Sequence, residues 1–258
     1  MNDGPIVRWE DVHKTFDGNP VLCGVTLNVR RGETLVILGR SGCGKTVLMK
    51  TLVGLEIPDS GSIRVNGRDV VGDGEAMRYA RTLCAMVFQN SALFDSMTVA
   101  GNLALSAIEN THTPIPQIIE RIESLLGRVG MPGAGDLKPA ALSGGMRRRV
   151  GLARALAQEP DIMLYDEPTT GLDPITADSI NELILQMHRD HDVTSVVVTH
   201  DLVSARKIGN RVAMLHEGEI VFEGTMDALF ESDNPIVRRF VRGEAEEEPL
   251  PTHDPAEQ

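Results

Sequence analysis

Four short runs lack any alternation of polar and apolar positions: Thr34–Leu38 (TLVIL), Ala85–Phe88 (AMVF), Ile162–Tyr165 (IMLY) and Ser195–Thr199 (SVVVT). Successive side chains of a strand point to opposite faces, so a run with no polar face is buried on both sides. Such runs predict a parallel sheet covered by helices on both faces. Other segments do alternate. Residues 5–12, 21–30 (Val21, Val25, Leu27, Val29) and 61–66 (GSIRVN) predict an antiparallel side sheet. Residues 211–216 and 219–224 predict a hairpin that turns at Glu217–Gly218.

The period changes between residues 96 and 158, where nothing reads as a strand. Within Ile115–Val129, the residues Ile118, Ile122, Leu125, Leu126 and Val129 recur at helical spacing, which predicts an inserted helical lobe. Met146, Val150, Ala153 and Ala157 recur the same way after Ser143, a good N-cap. Asn234–Pro235 carries the start signals of a short helix. We read one α/β domain over residues 1–242 and an acidic, disordered tail over 243–258.

Charge and composition narrow the function. With 25 Lys and Arg against 37 Asp and Glu, the net charge is −12. No basic footprint is available for nucleic acid, so nucleic acid is not expected as a partner. Half of the excess comes from the tail, in Glu244, Glu246, Glu247, Glu248, Asp254 and Glu257. Aromatic content is 3%, so aliphatic residues and Met must fill the core. The three cysteines, Cys23, Cys43 and Cys84, form no C-x-x-C pair, which fits a reducing compartment and no metal framework. No signal peptide and no apolar run near ~18 residues is visible, so work at a membrane would go through a partner.

Chemistry gathers where the predicted strands end. TLVIL runs into Gly39, AMVF into Gln89, IMLY into Asp166 and Glu167, and SVVVT into His200. Open α/β sheets bind ligands at that carboxyl edge, so the four endings predict one convergent site. Gly39–Thr46 (GRSGCGKT) fits the phosphate-binding loop G-x-x-x-x-G-K-[ST]. The strand before it and the helical VLMKTLVGL after it give the required context and predict a P-loop NTPase core of the RecA-like kind. Gly39, Arg40, Ser41, Gly42, Cys43 and Gly44 would present backbone N–H groups to the phosphates of ATP. Lys45 would reach the terminal phosphates, and Thr46 would ligate Mg²⁺. Cys43 reads as a small residue at a position that uses only backbone.

Asp166 is expected in the Mg²⁺ shell and Glu167 as the base for the attacking water. Pro168 biases Glu167 towards an extended backbone, which would fix its direction. Gln89 is expected at Mg²⁺ or the water, and His200 at the γ-phosphate.

LSGGMRRR, residues 142–149, looks like a second anion cradle. Ser143 would cap a helix whose first N–H groups, at Gly144 and Gly145, lack intrahelical partners. Arg147, Arg148 and Arg149 sit early in that helix, where its dipole disfavours them, and a bound anion would offset this. One chain's own glycine loop already encloses its phosphates. The second cradle therefore predicts a head-to-tail pair of copies sandwiching two nucleotides, with Asp173 of TGLD placed to signal across the seam. An ordinary capped helix with a solvated basic face is the plainer alternative.

GRSGCGKT, Gln89, LSGGM, YDE, GLD and THD occur in this order, and together they resemble the ATPase subunit of an ABC transporter over residues 5–230. The resemblance implies that Phe16, in HKTFDG, stacks on adenine where the family often has Tyr. Met146 departs from the commoner glutamine. FQNSALFDSMTVAGNL, the arginines after LSGGM, DPITA and NPIVRRFVRG are similar to the Mla/Mce group, which moves phospholipids or other lipids across the bacterial envelope. That resemblance implies a peripheral subunit on the cytoplasmic face of the inner membrane. Its partners would be a second copy, integral membrane permease subunits and Mce/Mla-type lipid-binding subunits. An ABC ATPase for another solute is the nearest rival. A non-transport ABC protein in DNA repair or translation should show two cassettes or a long coiled coil, and a GTPase should show N-K-x-D; the chain has none of these. Lys45, Glu167 and His200 argue against an inactive regulatory module.

Overall fold

The structure, a computed structural model, describes residues 4–109, 114–191 and 193–244. The tail from residue 245 onward lies outside them. From the N-terminus come β1 (Val7–Phe16), β2 (Asn19–Val29), β3 (Thr34–Leu38), α1 (Lys45–Thr51), β4 (Ser60–Val65), β5 (Arg68–Asp69), α2 (Gly74–Leu83) and β6 (Cys84–Val87). The inserted lobe holds α3 (Val99–Glu109), α4 (Ile115–Arg128), a 3-10 turn (Pro139–Ala141) and α5 (Gly144–Leu156). The chain then returns with β7 (Ile162–Asp166), α6 (Pro174–His191), β8 (Thr194–Thr199), α7 (Leu202–Ile208), β9 (Arg211–His216), β10 (Glu219–Gly224), α8 (Met226–Phe230) and α9 (Pro235–Arg242).

Six strands form the central sheet in the order β10-β9-β3-β8-β7-β6. All neighbours are parallel except β10, which pairs antiparallel with β9 at one edge. The period-2 geometry of each strand divides its side chains between two cores. Val36, Leu38, Met163, Tyr165, Val197, Val212 and Met214 pack with the helical lobe, α6 and α7. Leu35, Ile37, Ile162, Leu164, Val196, Val198, Ala213 and Leu215 pack with α1 and with the antiparallel side sheet, whose order is β2-β1-β4-β5. Burial on both faces explains why these strands carry no polar stripe.

Several boundaries differ from the sequence reading. The second run is Cys84–Val87, not Ala85–Phe88, because the Phe88 carbonyl leaves the ladder and accepts from Ser91 N at 2.8 Å. β1 continues to Phe16, well past residue 12; bulges between Trp9 and Val12 and again near Lys14 break its alternation and hide its length. α1 stops at Thr51, short of the predicted VLMKTLVGL helix, and Gly54 with φ 63 turns the chain away. β9 is more than half of a hairpin, since it also extends the parallel sheet beside β3. Among the described residues of the 96–158 insertion there is no strand.

One buried hydrogen bond ties the side sheet to α1. Trp9 Nε1 donates to Thr51 Oγ1 at 3.1 Å, and that hydroxyl donates in turn to Leu48 O at 2.6 Å. Both residues are fully buried. Thr51→Val keeps the shape and strands the indole N–H, so urea denaturation should show a loss of about 1–3 kcal/mol. Adding Trp9→Phe should then cost less in this variant than in the wild type, because the donor has already lost its acceptor.

Candidate nucleotide site

The glycine loop begins where β3 ends. A Cβ at Gly39 would stand 2.3 Å from Leu215 O and 2.7 Å from Cys43 Sγ, so no side chain fits there. At Gly44, with φ 105, a Cβ would stand 2.7 Å from Val21 O on β2. Gly42, with φ 84, meets nothing within 4 Å and marks the open face of the loop. Arg40 and Ser41 are exposed as well. Lys45 opens α1 and is 5% exposed; its Nζ donates to Gly39 O at 2.8 Å and Arg40 O at 2.9 Å. Thr46 Oγ1 donates to Asp166 Oδ1 at 2.7 Å. Cys43 is half-buried beside this loop; burial pushes its thiol pKa up, against the nearby charge of Lys45, so the thiol stays protonated.

Asp166 ends β7, level with Val198 of β8. Burial raises its pKa despite the hydrogen bond from Thr46, and the neighbouring Glu167 charge pushes it the same way. Glu167 is not extended, contrary to what Pro168 suggests; its φ is 47. A non-glycine residue pays about 1–2 kcal/mol for left-handed backbone. Tertiary partners hold it there. Glu167 N donates to Val198 O at 3.0 Å, which continues the β7–β8 pairing one residue further. Its carboxylate accepts from Thr170 Oγ1 at 2.8 Å and Thr199 Oγ1 at 3.3 Å. His200 Nδ1 lies 3.0 Å from the same carboxylate, and Lys45 Nζ lies 3.7 Å from its Oε1. Lys45, Thr46, Asp166, Glu167 and His200 thus form one connected cluster.

The remaining predicted residues stand outside this cluster. Gln89 is exposed in the turn after β6, the strand beside β7. Phe16 is 37% exposed at the tip of the β1–β2 hairpin, with Lys14 Nζ 5.1 Å from its ring centre. That hairpin abuts the loop through Val21 and Gly44. Ser143 caps α5, its Oγ accepting from Met146 N at 3.3 Å. Ser143, Gly144 and Gly145 line a separate cleft with Gly171, Asp173 and Thr176. Asp173 caps α6; Oδ1 accepts from Ile175 N and Thr176 N, and Oδ2 from Thr176 Oγ1 at 2.6 Å.

With the geometry in place, the comparisons decide the family. Residues 22–170 match the family described as ABC transporter. The chain is 41% identical over 242 residues to the methionine import ATP-binding protein MetN 2 of Rhodopseudomonas palustris, covering 92% of this chain and 64% of that protein. It is 40% identical over 241 residues to the MetN of Caulobacter vibrioides, covering 92% and 72%. This chain belongs to the ABC transporter family. It is 38% identical to the probable ribonucleotide transport ATP-binding protein mkl of Mycobacterium tuberculosis, with 93% and 67% covered. The cassette thus spans about two thirds of the length of these relatives. Among solved structures it is similar to the dimeric ATP-binding cassette MJ0796 in a post-hydrolysis state bound to ADP and Pi, with TM-score 0.79, 30% identity and 85% and 98% covered. The structure of cbiO1 from Clostridium perfringens gives TM-score 0.81 at 29% identity, with 92% and 95% covered.

The cassette binds ATP with Mg²⁺ and hydrolyses it. The site fits both. Glycine backbone and a buried ammonium suit phosphate oxygens, and the paired oxygens of Thr46 and Asp166 suit a hard cation. Among the described residues no helix is long and apolar enough to cross a membrane.

The arginines after LSGGM correct one expectation. The sequence suggests that a bound anion offsets their place at the start of the helix, but two of the three donate to carbonyls and a hydroxyl of their own chain. Arg148 donates to Phe88 O and Thr170 O, each at 3.1 Å. Arg149 donates to Val129 O at 2.7 Å and to Ser179 Oγ. Only Arg147 is exposed among the three. Sequence reasoning also missed Thr170 and Thr199 as partners of Glu167; a lone threonine beside a motif carries no signal of its own.

The raised pKa of Asp166 has a consequence for stability. The folded chain holds that proton more tightly than the unfolded chain, so stability falls as pH rises from the unfolded to the folded pKa. Above the folded value the penalty is complete; below the unfolded value it vanishes. Asp166→Asn removes it and still offers an oxygen to Thr46. In chelator-treated protein without nucleotide, the variant should melt at higher temperature than wild type at pH 7.5. The gap should close on acidification, and a gap independent of pH would contradict this reading.

Proposed function

We propose that this chain is the motor subunit of a membrane transporter, working as a head-to-tail pair that closes on two ATP molecules. The observation that carries the reading is the connected cluster of Lys45, Thr46, Asp166, Glu167 and His200 at the carboxyl ends of three neighbouring parallel strands. The backbone of Gly39–Gly44 and the ammonium of Lys45 bind the phosphates, and Phe16 stacks on the adenine. Thr46, Asp166 and Gln89 hold Mg²⁺, which when bound supplies positive charge against the phosphate oxygens. Glu167 accepts the proton of the attacking water, and His200 holds the γ-phosphate while keeping Glu167 aimed. Ser143, Gly144 and Gly145 of one copy cap the γ-phosphate held by the other. Asp173, which lines the same cleft, sits at that seam. Closure excludes water, and hydrolysis reopens the pair.

Two substitutions test this separately. Glu167→Gln should cut ATP turnover by about a hundredfold or more while nucleotide binding persists. At Gly144 a Cβ would meet nothing nearer than Leu172 at 3.7 Å, so a side chain is tolerated within the chain. Gly144→Asp should therefore fold and bind ATP as a monomer, yet fail to form ATP-dependent dimers by light scattering. Dimers that persist would remove the sandwich.

The partner we propose is an integral membrane permease, which places the chain at the cytoplasmic face of the inner membrane. Its docking surface is the cleft between core and helical lobe, lined by Leu55 (54% exposed) and Phe94 (48% exposed), together with Ile57 (68% exposed), two residues along from Leu55. For cargo we propose a phospholipid or related lipid, handled with Mce/Mla-type subunits, on the strength of the FQNSALFDSMTVAGNL, DPITA and NPIVRRFVRG stretches. The names of the relatives favour a second reading, import of methionine or transport of ribonucleotides. Purifying the membrane complex and identifying its bound ligand by mass spectrometry separates the two. Leu55→Asp with Ile57→Asp should abolish copurification of the permease and leave basal ATPase activity intact.

A further inference from the structure

The turn that carries Gln89 is strained, and α5 holds it. Phe88 O accepts from Ser91 N at 2.8 Å, closing a turn whose second residue is Gln89. Ser91, which ends the turn, and Ala92, which follows it, have φ 59 and φ 44, unusual for residues with side chains. Such backbone persists only where its surroundings over-determine it. Those surroundings are Arg148, Gly151 and Arg154, spaced three apart on one face of α5. Arg154 donates to Ser91 O at 3.1 Å and Ala92 O at 2.6 Å. A Cβ at Gly151 would lie 3.2 Å from the Ser91 Cβ, so the helix lacks a side chain where the turn presses closest. The far end of the segment is tied to α3: Asn102, fully buried, accepts from Phe94 N at 2.8 Å and donates to Phe94 O at 3.2 Å. Residues 88–94 are therefore carried by the helical lobe.

Glu167 belongs to the core, and Arg148 joins the two. Its Nη1 donates to Phe88 O, one residue before Gln89. Its Nη2 donates to Thr170 O, three residues after Glu167. Thr170 is itself bound to Glu167 twice, N to the carbonyl at 3.3 Å and Oγ1 to the carboxylate at 2.8 Å. Arg148 as a whole residue is buried, 8% exposed. A planar fork between two carbonyls fixes their separation, which a point-like ammonium cannot do.

We propose that Arg148 is a positioning residue that sets the spacing between the Gln89 turn and the Glu167 loop, and so conveys the placement of the helical lobe to the hydrolytic site. The inference rests on the roles given above to Gln89 and Glu167. Because α5 also begins at Ser143, the rod that meets the partner's nucleotide at one end adjusts its own chain's catalytic loops further along. Arg148 touches no reacting atom; it acts through two carbonyls.

The test is steady-state ATPase of the full chain, with kcat normalised to nucleotide-binding sites so that any unfolded fraction drops out. Wild type, Arg148→Ala, Arg148→Lys and Glu167→Gln are measured together. Arg148→Ala should lower kcat on the order of 10- to 100-fold, the size expected for a misplacement near 1 Å, with KM within about threefold of wild type. Arg148→Lys should not restore it, since one ammonium cannot span both carbonyls. The proposal is overturned if kcat stays within about twofold of wild type, if the loss lies in KM, or if Lys restores full turnover. If Arg148→Ala fails to fold, Arg148→Lys and Arg148→Gln carry the same comparison. An active Arg148→Ala beside an inactive Glu167→Gln defeats this inference alone. An active Glu167→Gln instead defeats the site assignment beneath it.

Discussion

Leu38 stands level with Thr199, and Asp166 with Val198, across three parallel strands in continuous register. That register sets the distances in the nucleotide site. It places the loop after β3, the carboxylates after β7 and the histidine after β8 at one height along one edge. A slip of one residue would send each ending to the opposite face of the sheet. Such a slip would also exchange the two cores, because Leu35 and Ile37 face the side sheet while Val36 and Leu38 face the helical lobe. The apolar burial that fixes the register is therefore the same burial that fixes the chemistry.

Within that frame, the acids are held apart by environment. Asp166 and Glu167 are adjacent and both largely buried, an arrangement that like charges oppose. The chain separates their partners. Asp166 receives the hydroxyl of Thr46, while Glu167 receives two threonine hydroxyls, the ring of His200 and the approach of Lys45. The left-handed backbone at Glu167 takes it out of the strand's alternation at the end of β7, where its carboxylate meets its own set of partners.

Much of this could be read from residue order, and the failures share a physical origin. The four buried strands were visible because burial on two faces removes all polar positions, a signal local to each run. GRSGCGKT and YDE were legible because phosphate and cation binding demand particular residues at fixed spacing. β1 was read too short because bulges interrupt its period, and β9 was seen as half of a hairpin because its second neighbour, β3, is remote in sequence. Pro168 misled for a related reason: a local preference for extended backbone at Glu167 gives way to bonds from Val198, Thr199 and His200, none of them nearby in the chain. The contacts of Arg148 and Arg154 left no trace because their partners are backbone carbonyls, which every residue possesses, and Thr170 left none because a lone threonine beside a motif is commonplace.

The arginines of α5 bear on how the second cradle can work. Arg148 and Arg149 donate to carbonyls and to the Ser179 hydroxyl of their own chain, so they add little directed positive charge at Ser143. What remains for an anion is the Ser143 hydroxyl, the first N–H groups of the helix and its dipole, a modest attraction by itself. A cradle that weak would not gather nucleotide from solution. It suits an anion already fixed by a glycine loop and presented to it, where the entropy of capture has been met elsewhere. In the proposed pair, two unequal cradles would give an order of events: the strong one would load first, and the weak one would engage only when a loaded partner arrives. Closure of the pair would in this way report that both sites are full.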